Sequence, residues 1–474
     1  MNGTLDKRTK WCYCIGATGR DAAYALISMY LILYVQYTMN LTGVQFAAIS
    51  AAMIVCMVWD AVNDLLMGII IENTNFKMGK FKPWILIGAI SNAVIIVCLF
   101  TIRPSGWGFV AFYSLFYLLW GMTYTMNDIS YWGALPTFSS DPKVRDSLVS
   151  VMSVFICMGQ FAVAGIVPIV IAGNAVSAYR TVALVVGLGL IAFQMLTAFG
   201  IRERGRTERE DKLSLKDMYR IFARNDQLVA AGIANIFFNI AFNLLIVFGV
   251  NFFYIEFGYS ESGDLVFVFT VMYGLGMLIS QASYASVAKH FKREQILRAC
   301  FIGLMIGYAA FFSFGYVLPR NIILLNAIGF LIFFFQGLMN ATLVVMINNT
   351  IEYDEARFGE RHDSVISAVR SFSVKLAGGL NQGLSTLVLI ASGIYAKTSR
   401  ISALEIDVSR GDITKETALA SANGYLADVT SMQRLLFRAG MIGIPVAAII
   451  ISYLILRKRY HIDEAEYGKL ISHG

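Results

Sequence analysis

Apolar residues run along this chain in long, nearly unbroken stretches rather than in the narrow stripe of a surface helix or the alternation of a half-buried strand. A helix crosses a bilayer with about 20 consecutive apolar residues. Twelve such stretches recur, at 11–36, 45–71, 83–102, 109–137, 148–173, 179–200, 227–257, 264–288, 296–318, 322–351, 364–393 and 433–456. Several exceed the hydrocarbon thickness, which predicts tilted or kinked helices. The sixth and seventh stretches are separated by IRERGRTEREDKLSLKDMYRIFAR, with eight basic residues between Arg202 and Arg224. The pattern predicts an all-α polytopic membrane protein with 12 transmembrane helices: a six-helix bundle over 1–200, a cytoplasmic loop over 201–226, and a second six-helix bundle with its tail over 227–474. One late connection, about Ala396 to Met432, is polar and reads as a solvated loop, with a short surface helix over DITKETA as the alternative.

Composition sharpens this. The chain is 57% hydrophobic and 15% charged, whereas soluble domains carry roughly 25% charged residues. Lys and Arg set the orientation, because short cytoplasmic loops collect them. KMGKFK (Lys77 to Lys82), DPKVR (Asp141 to Arg145), KHFKRE (Lys289 to Glu294) and EARFGER (Glu355 to Arg361) all fall in even-numbered connections, and LRKRYH (Leu456 to His461) closes the last stretch on the same side. Both termini are therefore expected in the cytoplasm, with no cleavable leader in MNGTLDKRTKW. The net charge of +7 belongs to these loops and gives no reason to expect a nucleic-acid partner. Cys12, Cys14, Cys56, Cys98, Cys157 and Cys300 lie in or beside apolar stretches without metal-ligand or disulfide spacing. His290, His362, His461 and His473 fall in loops or the tail, which argues against an intramembrane histidine relay.

The chemistry is concentrated in seven ionisable residues away from the ends of the stretches: Arg20, Asp21, Asp60, Asp64, Asp128, Arg370 and Lys375. An Asp at the centre of a spanning helix costs roughly 2.5 to 3.5 kcal/mol on insertion scales, so such residues face a bundle interior or an aqueous path. In WDAVNDLLMG, Asp60 and Asp64 share a helix face at i and i+4, with Asn63 beside them. Two ionised carboxylates so close repel, and either a bound cation or a retained proton relieves them. Tyr124, Thr125, Asp128 and Trp132 likewise share a face, an aromatic platform beside a carboxylate that suits a pyranose. The bland alternative for all of these is an interhelical ion-pair network in which Arg20 and Lys375 neutralise the acids. Four acids against three bases leave one negative charge, which a bound cation would balance.

GATGRDAAYALISMYLILY, WDAVNDLLMG followed by MGKFKPWILIG, LLWGMTYTMNDISYW and GERHDSVISAVRSFSVKLAGG, in this order, resemble the glycoside-pentoside-hexuronide:cation symporters of the major facilitator superfamily. The match extends over nearly all of the first 150 residues and returns near 350–385. The resemblance implies a major facilitator fold and a multi-pass protein of the cell (inner) membrane that works as a monomer. It implies symport of a small-molecule glycoside or oligosaccharide with Na⁺, Li⁺ or H⁺, and no cofactor or catalytic residue. Carried over by position, it implies a cation site of Asp60, Asn63, Asp64 and Thr125. It implies sugar hydrogen bonds to Asp21 and Asp128 in a pocket lined by Arg20, Tyr124 and Trp132, with Lys375 bridging the two halves. Lys80, Lys82, Pro83 and Trp84 look like the cytoplasmic motif that stabilises one of the alternating states.

The departures bear on substrate. Leu65 stands where the family usually has Pro, and Ser153 falls where a family member uses an Arg for sugar, while Arg370 occupies a position that is commonly neutral. A guanidinium matches a carboxylate bidentately, so Arg370 is a candidate substrate residue for a uronide; its alternative is to snorkel at the cytoplasmic end. Asn235, Asn239, Asn243 and Asn251, and then Gln336, Asn340 and Asn348, form amide stripes that either join helices or line the path. A transporter of the same fold carrying a lipid or other non-sugar remains the alternative function.

Overall fold

The structure is a computed structural model that describes residues 6–74, 76–139, 142–203, 215–359, 363–462 and 466. His362, His473 and most of the central connection lie outside these residues. Among the described residues the chain is helical throughout, its only bridge pairings being the isolated Phe76–Gly79 and Phe314–Leu318.

The first expected span is one continuous helical run in three parts: α1 (Lys7–Ala25), a π-turn (Leu26–Tyr30) and α2 (Leu31–Thr38). π-turns inside helices commonly mark functional positions, and this one follows Arg20 and Asp21 by little more than a turn. Next come α3 (Gly43–Asn73), α4 (Lys82–Thr101), α5 (Gly106–Ala134), α6 (Pro142–Ile171) and α7 (Ala175–Gly200). The short α8 (Leu215–Arg224) precedes α9 (Asp226–Phe257), α10 (Ser262–His290), α11 (Arg293–Ser313), α12 (Ile322–Phe358) and α13 (Asp363–Ala391). The chain ends through α14 (Ile394–Arg410), α15 (Lys415–Ala427) and α16 (Ser431–Arg459). Among the described residues eleven helices are long and apolar enough to cross a membrane. The remaining expected span is the α1–α2 run, whose Lys7, Arg8, Lys10, Arg20 and Asp21 dilute its hydropathy. The 37 residues of α12 reach about 55 Å at 1.5 Å per residue, well past the hydrocarbon core, as the length of its apolar stretch led one to expect.

The helices form two compact units. The first comprises Met1–Arg209, Phe253–Phe267 and Gly393–Val429; the second comprises Glu210–Phe252, Val268–Ser392 and Thr430–Gly474. In the first unit α1 packs on α6 and α7, and α5 packs on α3 and α4. Tyr13 of α1 and Tyr131 of α5 stack at 4.4 Å, and each hydroxyl donates to the other residue's carbonyl. Gln194 Nε2 donates to the Gly16 carbonyl at 2.8 Å, and Asn127 Nδ2 donates to Gln194 Oε1 and the Ile85 carbonyl. These buried amides donate to one another and to backbone carbonyls, which joins α1, α4, α5 and α7 through polar contacts. A Cβ on Gly88 would meet the Asn127 backbone nitrogen at 2.6 Å, so glycine sets the α4–α5 approach.

The connection expected to be a solvated loop is instead two helices docked on the first unit, which corrects that expectation. Ile394, Tyr395, Thr398, Ile401, Ser402 and Glu405 form the buried face of α14. Half of that face is polar, so hydropathy hides its amphipathic period. Tyr395 stacks on Phe46 and donates to the Leu41 carbonyl, and Gln36 Nε2 donates to Thr398 Oγ1. In the second unit the amide stripe is spent largely within its own helix. Asn239 Nδ2 donates to the Asn235 carbonyl and Asn243 Nδ2 to the Asn239 carbonyl, while Asn381 of α13 reaches the Asn239 carbonyl at 3.4 Å. Gln336 does join helices, donating to the Tyr308 hydroxyl.

Candidate functional site

The candidate residues of the first unit converge around α5. Its Tyr113, Tyr117, Trp120 and Tyr124 recur at helical spacing and form a ladder, with ring centroids 5.8, 5.4 and 5.6 Å apart in turn. Tyr24 of α1 adds a ring 5.3 Å from Tyr124. Below the ladder, Arg20 Nη2 contacts Asp21 Oδ2 at 2.7 Å and Arg20 Nη1 lies 3.2 Å from Asp128 Oδ1. Its guanidinium carbon lies 4.5 Å from the Tyr131 ring centroid and 5.4 Å from that of Trp132. The Tyr13–Tyr131 pair thus provides both the α1–α5 joint and the aromatic surface that carries the guanidinium. Gln160 of α6 donates to the second Asp21 oxygen at 3.2 Å.

Asp60 and Asp64 project from α3 onto the same side of α5, one turn apart. Thr125 donates its hydroxyl to Asp64 Oδ1 at 3.0 Å. Asp60 lies against Gly121, where a Cβ would meet its Oδ1 at 2.5 Å. Asn63 is buried beside them. The set offers two carboxylates, a hydroxyl and an amide oxygen, hard donors suited to a hard cation or a proton. Among the described residues no group of three or more His, Cys, Asp or Glu gathers as a metal cluster.

Three buried donors around this site have no protein partner in hydrogen-bonding geometry among the described residues: Arg20 Nη1, Asn63 Nδ2 and Trp120 Nε1. Of these, Arg20 Nη1 is still ion-paired with Asp128 at 3.2 Å. A donor buried without an acceptor costs about 1–3 kcal/mol, so hydroxyl-rich solutes or water find acceptor work to do here.

Arg20, Asp21, Tyr124, Asp128 and Trp132 are therefore brought together, and Asp60, Asn63, Asp64 and Thr125 are brought together along the same helix. Arg370 and Lys375 lie on α13 in the second unit, the former exposed and the latter half-buried. Sequence reasoning missed Tyr24, Trp120, Gly121 and Gln160. Tyr24 follows Arg20 by four residues and Trp120 precedes Tyr124 by four, so helical spacing held a signal for both; Gln160 had none. The basic motif between α3 and α4 has its own missed partner. The Glu203 carboxylate accepts the backbone amides of Lys80 at 2.7 Å and Lys82 at 2.9 Å and that of Phe81, an anion at the start of α4. Gly79, at φ +114°, leaves room for it, and Trp84 Nε1 donates to Thr74 Oγ1.

A family model described as MFS/sugar transport protein matches residues 12–464. The lactose permease of Lactobacillus helveticus is 24% identical over 97% of this chain and 70% of its own length. The putative glycoside/cation symporter YagG of Escherichia coli (strain K12) is 24% identical over 85% of this chain and 86% of its own. Among solved structures, a bacterial homologue of the human lysosomal transporter Spinster, inward-facing and unoccupied, superposes with a TM-score of 0.64 at 13% identity, covering 96% of this chain and 98% of that one. The last similarity is one of fold, all-α and of the major facilitator type.

Proposed function

The chain belongs to the MFS/sugar transport protein family, a multi-pass membrane transporter and not an enzyme, and we propose that it carries a glycoside or oligosaccharide across the cell membrane together with a monovalent cation. The observation that supports this most is the pairing, along one helix, of an acidic pair with a hydroxyl and of an arginine–carboxylate cluster under an aromatic ladder. Asp60, Asn63, Asp64 and Thr125 hold Na⁺, Li⁺ or a proton. Asp21 and Asp128 accept sugar hydroxyls, Arg20 orients both acids and donates Nη1, and Tyr124 and Trp132 take the apolar face of the ring. Arg370 receives the carboxylate of a uronide, and Lys375 links the halves as they alternate.

The two sites share α5, and this supplies the coupling. A cation that draws Asp60 and Asp64 together against α5 sets the level at which Tyr124 and Asp128 are presented. Cation then raises sugar affinity, and by linkage sugar raises cation affinity by the same factor. Alternating access of the two halves converts that into accumulation. Both termini lie in the cytoplasm, the basic connections with them.

The deciding experiment is uptake of neutral glycosides and glucuronides into proteoliposomes under an imposed Na⁺ or H⁺ gradient. Uphill uptake of a glycoside that stops when the gradient is collapsed is the expected result. A protein that moves no sugar under either gradient, yet moves a lipid, would replace this reading with the lipid one.

A further inference from the structure

The second unit contains a cavity of about 570 Å³ among the start of α11, the later part of α12 and the end of α16. Among the described residues, Lys292, Arg293, Arg457 and His461 line it, against one acid, Glu294, which is engaged by Arg298 at 2.9 Å. Deeper, the lining turns apolar through Leu297, Met346 and Leu456, all buried. The wall is fixed. Tyr460 donates its hydroxyl to the Met346 carbonyl at 2.8 Å, and the His461 amide donates to Gln227 Oε1 at 2.7 Å. Arg293 Nη1 reaches the Ile462 carbonyl at 3.5 Å. The three residues after α16, Tyr460, His461 and Ile462, are thereby held as one side of the cavity rather than left to the solvent.

A volume of this size belongs to a ligand pocket rather than to a single ion. Cations at the mouth and apolar side chains behind them match one kind of molecule, an anionic phosphate on a hydrocarbon tail. Guanidinium groups hold phosphate oxygens in bidentate fashion, and basic pockets between membrane helices on the cytoplasmic side take phospholipid headgroups. The LRKRYH and KHFKRE segments that form the mouth are the ones whose charge puts them on that side. We propose that this cavity is a phosphate-binding site filled by an anionic phospholipid, which ties α11, α12 and α16 together from the cytoplasmic leaflet.

The test uses the full chain, purified in a neutral detergent and stripped of lipid, with phosphatidylglycerol, phosphatidylcholine and inorganic phosphate titrated against its thermal unfolding. Phosphatidylglycerol is expected to raise the midpoint temperature saturably, and phosphatidylcholine is not. Lys292→Gln with Arg457→Gln should weaken the half-saturating phosphatidylglycerol concentration roughly 30-fold. Lys289→Gln with Lys458→Gln, which removes the same charge from basic residues outside the cavity lining, should leave it unchanged. Equal losses in the two double variants, or equal stabilisation by the two lipids, would overturn the site in favour of diffuse surface charge. Full stabilisation by inorganic phosphate, with nothing added by phosphatidylglycerol, would keep the phosphate site and overturn the lipid as its source. Native mass spectrometry of the unaltered protein should retain one phosphatidylglycerol that phosphate competes away, a readout independent of how the variants fold; no retained lipid counts against the proposal.

Discussion

Asp60 and Asp64 meet α5 through a glycine and a hydroxyl, and these two small contacts decide what the acids can do. A methyl group at Gly121 would stand 2.5 Å from Asp60 Oδ1, so Gly121→Ala must push the carboxylate away from α5. Half-saturating cation concentration for uptake is expected to rise about tenfold, the equivalent of one charge-assisted contact, while sugar binding without cation stays near its original value. Thr125→Val removes the donor to Asp64 and should have a similar effect. Asp64→Asn should abolish uphill accumulation altogether, measured as the steady-state ratio of internal to external substrate; a variant that still concentrates substrate would remove Asp64 from the coupling site. The acids were legible in the sequence because an ionised group inside an apolar stretch is costly and so conspicuous. Gly121 was not, since a glycine's importance lies in the atom that another helix places beside it. Gln160 was equally silent: an amide on α6 says nothing of Asp21 until α1 and α6 are seen together.

At the scale of elements, the long apolar helices announce themselves and the docked pair α14–α15 does not. Its buried face is joined to the first unit by polar groups, above all Glu405. The carboxylate accepts the Gly173 amide at 2.9 Å, the Ala175 amide at 2.6 Å and the Tyr259 hydroxyl at 2.8 Å, at the N-terminus of α7. Burial nonetheless raises its pKa above the ordinary 4.5, against the lowering effect of those donors and of Lys415. The sign of the pH effect follows. Above 4.5 and up to the raised value, docked Glu405 holds more proton than released Glu405, so docking weakens as pH rises through that window. Hydrogen exchange in α14–α15, corrected for intrinsic rates, should be slower at the acid end of the window than above it. Glu405→Gln should flatten this dependence. Glu405→Ala leaves three donors without an acceptor and should destabilise the docked pair on the order of 3 kcal/mol, read as exchange across both helices without change in α3 or α5. Glu203 is a second carboxylate that accepts backbone amides across a long sequence separation. It was invisible because the sequence motif it completes, KMGKFKPW, lies more than 100 residues before it, and its ligands are backbone amides that carry no residue identity.

At the scale of the whole molecule, charge accounting separates the two classes of substrate that the resemblance left open. One monovalent cation carried with a neutral glycoside moves one positive charge per cycle, whereas the same cation carried with a uronide moves none. A potential of 100 mV acts on one elementary charge with about 2.3 kcal/mol, which corresponds to roughly 50-fold in a steady-state ratio. With the coupling-ion gradient held at zero and the interior made negative by 100 mV, a neutral glycoside should therefore accumulate up to roughly 50-fold, and a glucuronide should merely equilibrate. Adding the ion gradient should then drive both. Arg370 enters through the second comparison. Arg370→Gln should lower glucuronide affinity roughly tenfold or more, the loss of a charged hydrogen-bonded partner, and leave neutral glycosides within a factor of about two. If both substrates lose equally, Arg370 acts on the conformational cycle and not on the carboxylate. If the glucuronide proves to be concentrated by potential alone, a second cation must travel with it, and Asp60 and Asp64 would then be serving two ions rather than one.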